Sequence, residues 1–276
     1  MRPYVVLEKE IGETPLECVE KWRVTQPALQ ETPLAYAGRL DPMASGALLV
    51  LIGDECKRQT DYHSLDKTYV VDILFGVSTD SDDVLGIPLH TTPTAIETSA
   101  LTKTLKTLRG SVTLPYPHYS SKTVQGKPLH TWTLEDRLDE IEIPTKSSTI
   151  YSLSLNNRST LTGENVYAYV KNKIETIAPV TDARKALGND FRRPHIRTAW
   201  QNWHITHAEQ HFTRATITCT ASSGTYMRTL ARIIGERLKV PALAYHIHRT
   251  ELGSYHQLYG RWGFWSTRYR SEPRVF

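Results

Sequence analysis

The sequence predicts an α+β domain, and three observations lead there. Segments with the apolar spacing of helices and segments with the alternation of strands both occur. They follow one another irregularly, without the strand-then-helix repeat of a doubly wound sheet. The chain has 276 residues, 39% hydrophobic and 22% charged, which is enough to bury one large core and excludes disordered and collagen-like classes.

The elements follow in chain order. A helix should begin after Thr14, because Thr14-Pro15-Leu16-Glu17 is a capping box with Pro at the first helical position, followed by Leu16, Val19 and Trp22. Residues 47–52 are continuously apolar, as in a strand buried on both faces. Tyr69, Val71, Ile73 and Phe75 share one face of another strand. The capping signature returns at Thr94-Ala95-Ile96-Glu97, leading into Leu101, Leu105 and Leu108, with Gly110 placed to end the helix. The polar stretch of residues 146–163 reads as a boundary or an inserted element. Ala215, Ile217, Cys219 and Ala221 alternate with threonines as a strand does. Met227, Leu230, Ala231, Ile234 and Leu238 form the apolar stripe of a last helix, with Arg228, Arg232 and Arg237 elsewhere on its surface.

The apolar run 47–52 falls far short of the roughly 20 residues of a bilayer span, and no signal pattern opens the chain, so a soluble cytoplasmic protein is expected. Three cysteines without a CxxC pair argue against a disulfide framework or a cysteine-rich zinc site. A net charge of +4 permits a nucleic-acid partner without demanding one. Its distribution says more. Residues 156–199 hold Arg158, Lys171, Lys173, Arg184, Lys185, Arg192, Arg193 and Arg197, and the C-terminal stretch interleaves Arg261, Arg268, Arg270 and Arg274 with Tyr259, Trp262, Phe264, Trp265 and Tyr269. Such mixing suits phosphate contact with base stacking. His204, His207 and His211 lack the context of a metal site, and Asp80, Asp82 and Asp83 lack the ligand pattern of a calcium loop.

The chemistry-bearing segment is Gly38-Arg39-Leu40-Asp41, followed by Ser45-Gly46 and the buried strand. It resembles the G-x-L-D motif of pseudouridine synthases. Lys67-Thr68-Tyr69, with Thr79-Asp80-Ser81-Asp82 and Gly86, looks like the K-x-Y strand and the T-D-x-x-D-x-x-G turn after it. The stretch from Tyr119-Ser120-Ser121-Lys122 to Leu129 is similar to Y-S-A-x-K-x-x-G-x-x-L. Ser223-Gly224-Thr225-Tyr226-Met227-Arg228 resembles S-K-G-T-Y-I-R, and His248-Arg249-Thr250-Glu251-Leu252-Gly253 looks like a closing R-R-T-x-x-G. In this order the motifs resemble the TruB-type tRNA pseudouridine synthases.

The resemblance implies a pseudouridine synthase fold, with a mixed, mainly antiparallel central sheet flanked by helices. It implies isomerisation of uridine 55 in the T arm of tRNA, with no metal or redox cofactor and no required protein partner, by a monomer. Another RNA target, or a tRNA-folding chaperone whose binding is independent of catalysis, is the alternative. Asp41 takes the place of the catalytic carboxylate, which can stabilise or capture positive character at C1'. Arg228 corresponds to its partner, since a guanidinium can hold a carboxylate beside a polyanion. Tyr69 matches the tyrosine that faces the base. Substrate contacts are expected from Lys9, Arg39, Lys67 and Lys122. Tyr36 stands where the family has a histidine that helps base flipping, so stacking is expected there without a titrating imidazole. The catalytic domain is expected to span 1–253, including a basic insertion at about 146–199. Residues 254–276 are expected to form a short basic aromatic tail, with no C-terminal PUA domain.

Overall fold

The computed structural model describes residues 2–179, 190–258 and 262–271. A short strand β1 (Tyr4–Lys9) leads into α1 (Pro15–Val24), which starts where the capping box places it: Thr14 Oγ1 accepts from the Glu17 amide, and the Glu17 carboxylate accepts from the Thr14 amide at 2.7 Å. β2 (Leu34–Ala37) and β3 (Ala44–Ile52) form an antiparallel pair around the Asp41 turn. Every residue of β3 is buried. The reason is that Cys18 and Val19 of α1 pack against Leu48 and Val50, while Leu49 and Leu51 meet Tyr62 and Tyr269 on the opposite face.

β4 (Asp66–Phe75), β5 (Val77–Thr79) and β6 (Pro88–Thr91) follow, with the Thr79–Gly86 turn between the last two. α2 (Thr98–Thr107) begins later than the Thr94 signature predicts. The Thr94 carbonyl accepts from the Thr213 hydroxyl at 3.2 Å and its own hydroxyl bonds Thr92, so no capping box forms and Glu97 is the unassisted N-cap. Leu101, Leu105 and Leu108 are buried as expected, and Gly110, at φ +94°, opens β7 (Gly110–Pro115). The Tyr119–Leu129 motif forms a hairpin of β8 (Thr123–Val124) and β9 (Lys127–Pro128), followed by α3 (Leu129–Leu134).

The polar stretch 146–163 is neither boundary nor loop. It forms most of β10 (Thr145–Thr162), paired with β7 on one side and with β11 (His211–Ala221) on the other. α4 (Gly163–Thr176) and α5 (Arg193–His207) pack together and against the main core through Val166, Val170, Ile174, Ile196 and Trp200. α6 (Met227–Leu238) buries its apolar stripe as expected, but Arg228 is buried with it. β12 (Ala242–Gln257) and β13 (Gly263–Tyr269) complete the chain.

The sheet runs β1-β3-β12-β4-β11-β10-β7, with β2 attached to β3 and β13 to β12. Its pairs are antiparallel except β3 with β12, so it is the mixed, mainly antiparallel sheet of an α+β fold. The boundary expected after Gly253 falls inside β12. Residues described beyond it pair Gln257 with Gly263 through to Leu252 with Tyr269 as a hairpin. Arg184, Lys185, Tyr259, Arg261 and Arg274 lie outside the described residues. Among the described residues no helix is long and apolar enough to cross a membrane.

Candidate active site

The Asp41 turn is held from below. Gly38 adopts φ +78°, the Asp41 carbonyl accepts from the Ala44 amide at 3.0 Å, and the Gly12 amide binds the Pro42 carbonyl at 2.8 Å. Where β3 meets β12 in parallel, Gly46 lies opposite Arg249 at φ +112°, and a Cβ there would sit 2.2 Å from the Arg249 carbonyl. Only glycine permits that approach. The Arg249 side chain is 1% exposed and donates Nε to the Ala47 carbonyl at 2.8 Å, Nη2 to Gly38 at 3.2 Å and Nη1 to Arg39 at 3.4 Å.

Arg228, in the first turn of α6, is the hub at which the other motifs meet. Its Nε lies 2.9 Å from Asp41 Oδ2 and 3.6 Å from Asp83 Oδ2, while Nη1 and Nη2 donate to the carbonyls of Ser81 and Tyr119. The guanidinium is 7% exposed and the Asp41 side chain 45%, so the cation is fixed in protein while the carboxylate opens to solvent. Burial pulls the Arg228 pKa down, but Asp41 and Asp83 outweigh it and leave it raised. Burial pushes Asp83 up to about 6, against the opposing pull of Arg228 and the Ser81 hydroxyl.

Asp83 is the member that the motif pattern alone left without a role. The signal was available, because the second aspartate of T-D-x-x-D falls on Asp83. The three acids of this turn each take a different arginine: Asp80 pairs with Arg192 at 2.5 Å, Asp82 with Arg232 at 3.1 Å and Asp83 with Arg228. Arg192 also lies over the Tyr119 ring, 4.3 Å from its centroid.

Tyr69 lies on β4 directly across from Arg249 of β12, and burial raises its phenol pKa, with the nearby guanidinium opposing the shift. Tyr226, immediately before α6, packs on Tyr116 with centroids 5.3 Å apart, and its phenol is pushed up to about 12 by burial, with Tyr116 and Asp41 adding to the shift. Asp41, Arg228, Tyr69 and Tyr226 thus form one electrostatically connected group. Arg39 is exposed and reaches Ser121 Oγ at 3.4 Å, and exposed Lys122 lies 5.4 Å above the Tyr116 ring centroid. Both stand at the rim of this group.

Three expected substrate contacts are placed otherwise. Lys9 is 0% exposed, its ammonium on the carbonyls of Ala44 at 2.6 Å and Glu10 at 2.8 Å. Lys67 is 7% exposed and bonds the Leu65 carbonyl. Burial lowers each lysine pKa to about 8. Neither reaches outward: Lys9 ties β1 to the Ala44 carbonyl at the end of the Asp41 turn, and Lys67 lies under Gly38, whose Cβ would sit 3.5 Å from Lys67 Cε. The Tyr36 ring, expected to stack on a base, packs half-buried against the cluster of Cys18, Val19, Leu48 and Val50.

Among its described residues, the basic segment is largely spent on internal contacts. Arg158 donates to the Ile96 carbonyl, Arg193 to those of Ile177 and Ala178, and Arg197 pairs with Glu175. Lys173 is buried against His246. In the terminal hairpin Arg268 and Arg270 both bind Glu251, at 2.5 and 2.7 Å. His204 pairs with Glu164 and His207 stacks on Trp203, so neither faces the other as a ligand pair would.

The chain matches the model described as TruB family pseudouridylate synthase (N terminal domain) over residues 27–176, more than half of its length and well into the stretch 146–199. It is 29% identical over 253 residues to a tRNA pseudouridine synthase B of Bacillus subtilis (strain 168), covering 91% of this chain and 65% of that protein. It is 34% identical over 175 residues to the tRNA pseudouridine synthase B of Caldicellulosiruptor saccharolyticus, covering 63% of this chain and 56% of that one. The chain therefore spans between about half and two-thirds of the length of these relatives. A chain in the crystal structure of a Cbf5-Nop10-Gar1 complex shares the fold, with a TM-score of 0.53 at 15% identity over 91% of this chain and 48% of that one. With the motif residues of five segments converging on one pair of buried arginines and the family model matched across the first three of those segments, the chain belongs to the TruB family of pseudouridylate synthases.

Proposed function

We propose that this protein is an isomerase that converts uridine to pseudouridine in tRNA, at uridine 55 of the T loop, acting as a cytoplasmic monomer without a protein partner or cofactor. The observation that carries the proposal is the 2.9 Å pair of exposed Asp41 and buried Arg228. The reaction breaks the N1–C1' bond, turns the base and joins C5 to C1'. Asp41 meets the positive character at C1', as a nucleophile or as a base on the sugar, and Arg228, 2.9 Å away, holds it in place beside the polyanion. Tyr69 lies against the base. Arg39 and Lys122 take backbone phosphates at the rim, and the nucleotide must leave its stack to reach Asp41. The relatives named tRNA pseudouridine synthase B support tRNA as the substrate.

The test is to incubate tRNA transcripts with the protein and with Asp41→Asn, and to map pseudouridine by carbodiimide-blocked primer extension. A T-loop stop that requires Asp41 is the expected result. Unmodified transcripts, equal product from the variant, or a stop elsewhere would overturn the activity, the role of Asp41 or the target position respectively.

A further inference from the structure

Three cations underlie the Asp41 turn without a carboxylate at ion-pair distance among the described residues: Lys9, Lys67 and Arg249, exposed by 0%, 7% and 1%. Their hydrogen bonds go to main-chain carbonyls, and Arg249 stands directly across the β4–β12 pairing from Tyr69. Gly38 brings the group together, since a Cβ on it would lie 3.4 Å from Arg249 Nη1 and 3.5 Å from Lys67 Cε. Buried unpaired charge is costly and is retained where a field is needed. Arg228, already engaged by Asp41 and Asp83, is not that source.

The chemistry of the proposed reaction states what such a field would do. When the C1'–N1 bond breaks, its electron pair leaves with the base, and negative charge spreads over N1, O2 and O4 of the detached uracil. The ring turns, C5 bonds to C1', the C5 proton is removed and N1 is reprotonated, so the sum is an isomerisation with no other reactant. The charge on the uracil must be stabilised between the first and last of these events. We propose that Arg249, backed by Lys67 and Lys9, stabilises the departing uracil anion, acting through the Tyr69 hydroxyl. Arg249 is the direct cross-strand partner of Tyr69, so its guanidinium lies behind the phenol and favours donation of the phenol proton toward the base. Arg249 is therefore a positioning residue for Tyr69 and a fixed charge behind it. The inference rests on the isomerase reading above.

The experiment compares leaving groups. Single-turnover rates are measured on tRNA carrying uridine or 5-fluorouridine at the target position, for the wild type, Arg249→Lys and Arg249→Met. Nuclease digestion and chromatography follow loss of the N-glycoside. Fluorine makes the base a better leaving group, so a lost anion stabiliser should matter less. Arg249→Met is expected to slow uridine cleavage by about a hundredfold, the order seen when one anion-stabilising donor is removed. It should slow 5-fluorouridine cleavage far less, and Arg249→Lys should recover part of the uridine rate. An equal loss on both substrates, or a lysine variant no better than methionine, would reduce Arg249 to a packing role and overturn the inference. If the methionine variant does not fold, Tyr69→Phe carries the same comparison, because it deletes only the oxygen between Arg249 and the base. A wild type inert on uridine would instead refute the isomerase reading.

Discussion

Asp83→Asn tests whether burial or ion pairing governs the carboxylate behind Arg228. Asp83 is 4% exposed, with Oδ1 accepting from Ser81 Oγ at 2.7 Å and from the Leu85 amide at 2.9 Å, and Oδ2 3.6 Å from Arg228 Nε. The nearer carboxylate of Asp41 shares the guanidinium, so the pairing does not repay the desolvation, and the pKa stands at about 6 rather than 3.8. The native state thus holds this proton more tightly than the unfolded chain. The stability from this group is complete below the unfolded pKa and is lost as pH rises through about 6. A displacement of that size corresponds to about 3 kcal/mol, of which roughly 2.5 kcal/mol falls between about pH 4 and pH 8. Asparagine keeps both Oδ1 contacts and cannot ionise; its altered contact with Arg228 adds an offset that does not depend on pH. Urea unfolding of both proteins at about pH 4, 6 and 8 should therefore show the stability of Asp83→Asn rising against wild type by that amount as pH increases. A difference that stays flat with pH would mean that Arg228 keeps Asp83 ionised, and the argument from burial would fail.

Two further substitutions probe the supports of the site. Gly46→Ala must place its Cβ 2.2 Å from the Arg249 carbonyl at a left-handed φ, so it should lose about 3 kcal/mol or more in the same urea assay; wild-type stability would show that β3 and β12 can part without cost. Glu251→Gln removes the carboxylate that holds Arg268 and Arg270, and brief trypsin digestion should then cut β13 at least several-fold faster while the core stays intact; an unchanged cleavage rate would mean that sheet pairing alone holds the hairpin.

Local periodicity made much of the fold legible, and its failures have local causes. Residues 47–52 read as a doubly buried strand because both faces of β3 are covered, and the Thr14 box read correctly because nothing competes for Thr14. The identical logic failed at Thr94 because its hydroxyl turns back to the Thr92 carbonyl and Thr213 Oγ1, distant in sequence, accepts from the Ile96 amide. β10 was hidden for another reason. Its pairing with β11 shifts register after Ile150 and again after Leu155, which breaks the period of two. Its exposed positions also carry Ser, Asn and Thr, so little apolar signal remains.

At the site, motif order placed Asp41 and Arg228 together, but charge type was a poor guide to position. Lysines were read as groups for phosphate, whereas Lys9, Lys67 and Lys173 are inside the protein, as is the motif residue Arg249. A cation buried against carbonyls has the same sequence as one reaching into solvent, and what separates them is the tertiary packing of distant strands, here β1, β4 and β12 around one turn. The consequence bears on the whole binding surface. Arg192, Arg193, Arg197, Arg268 and Arg270 are likewise engaged with carboxylates. A phosphate that displaces such a partner gains less than one meeting a free cation, because the carboxylate must be resolvated or paired again. Among the described residues of these two segments much of the positive charge is therefore already paired, and Arg39 and Lys122 carry correspondingly more of the RNA contact in the proposed reaction.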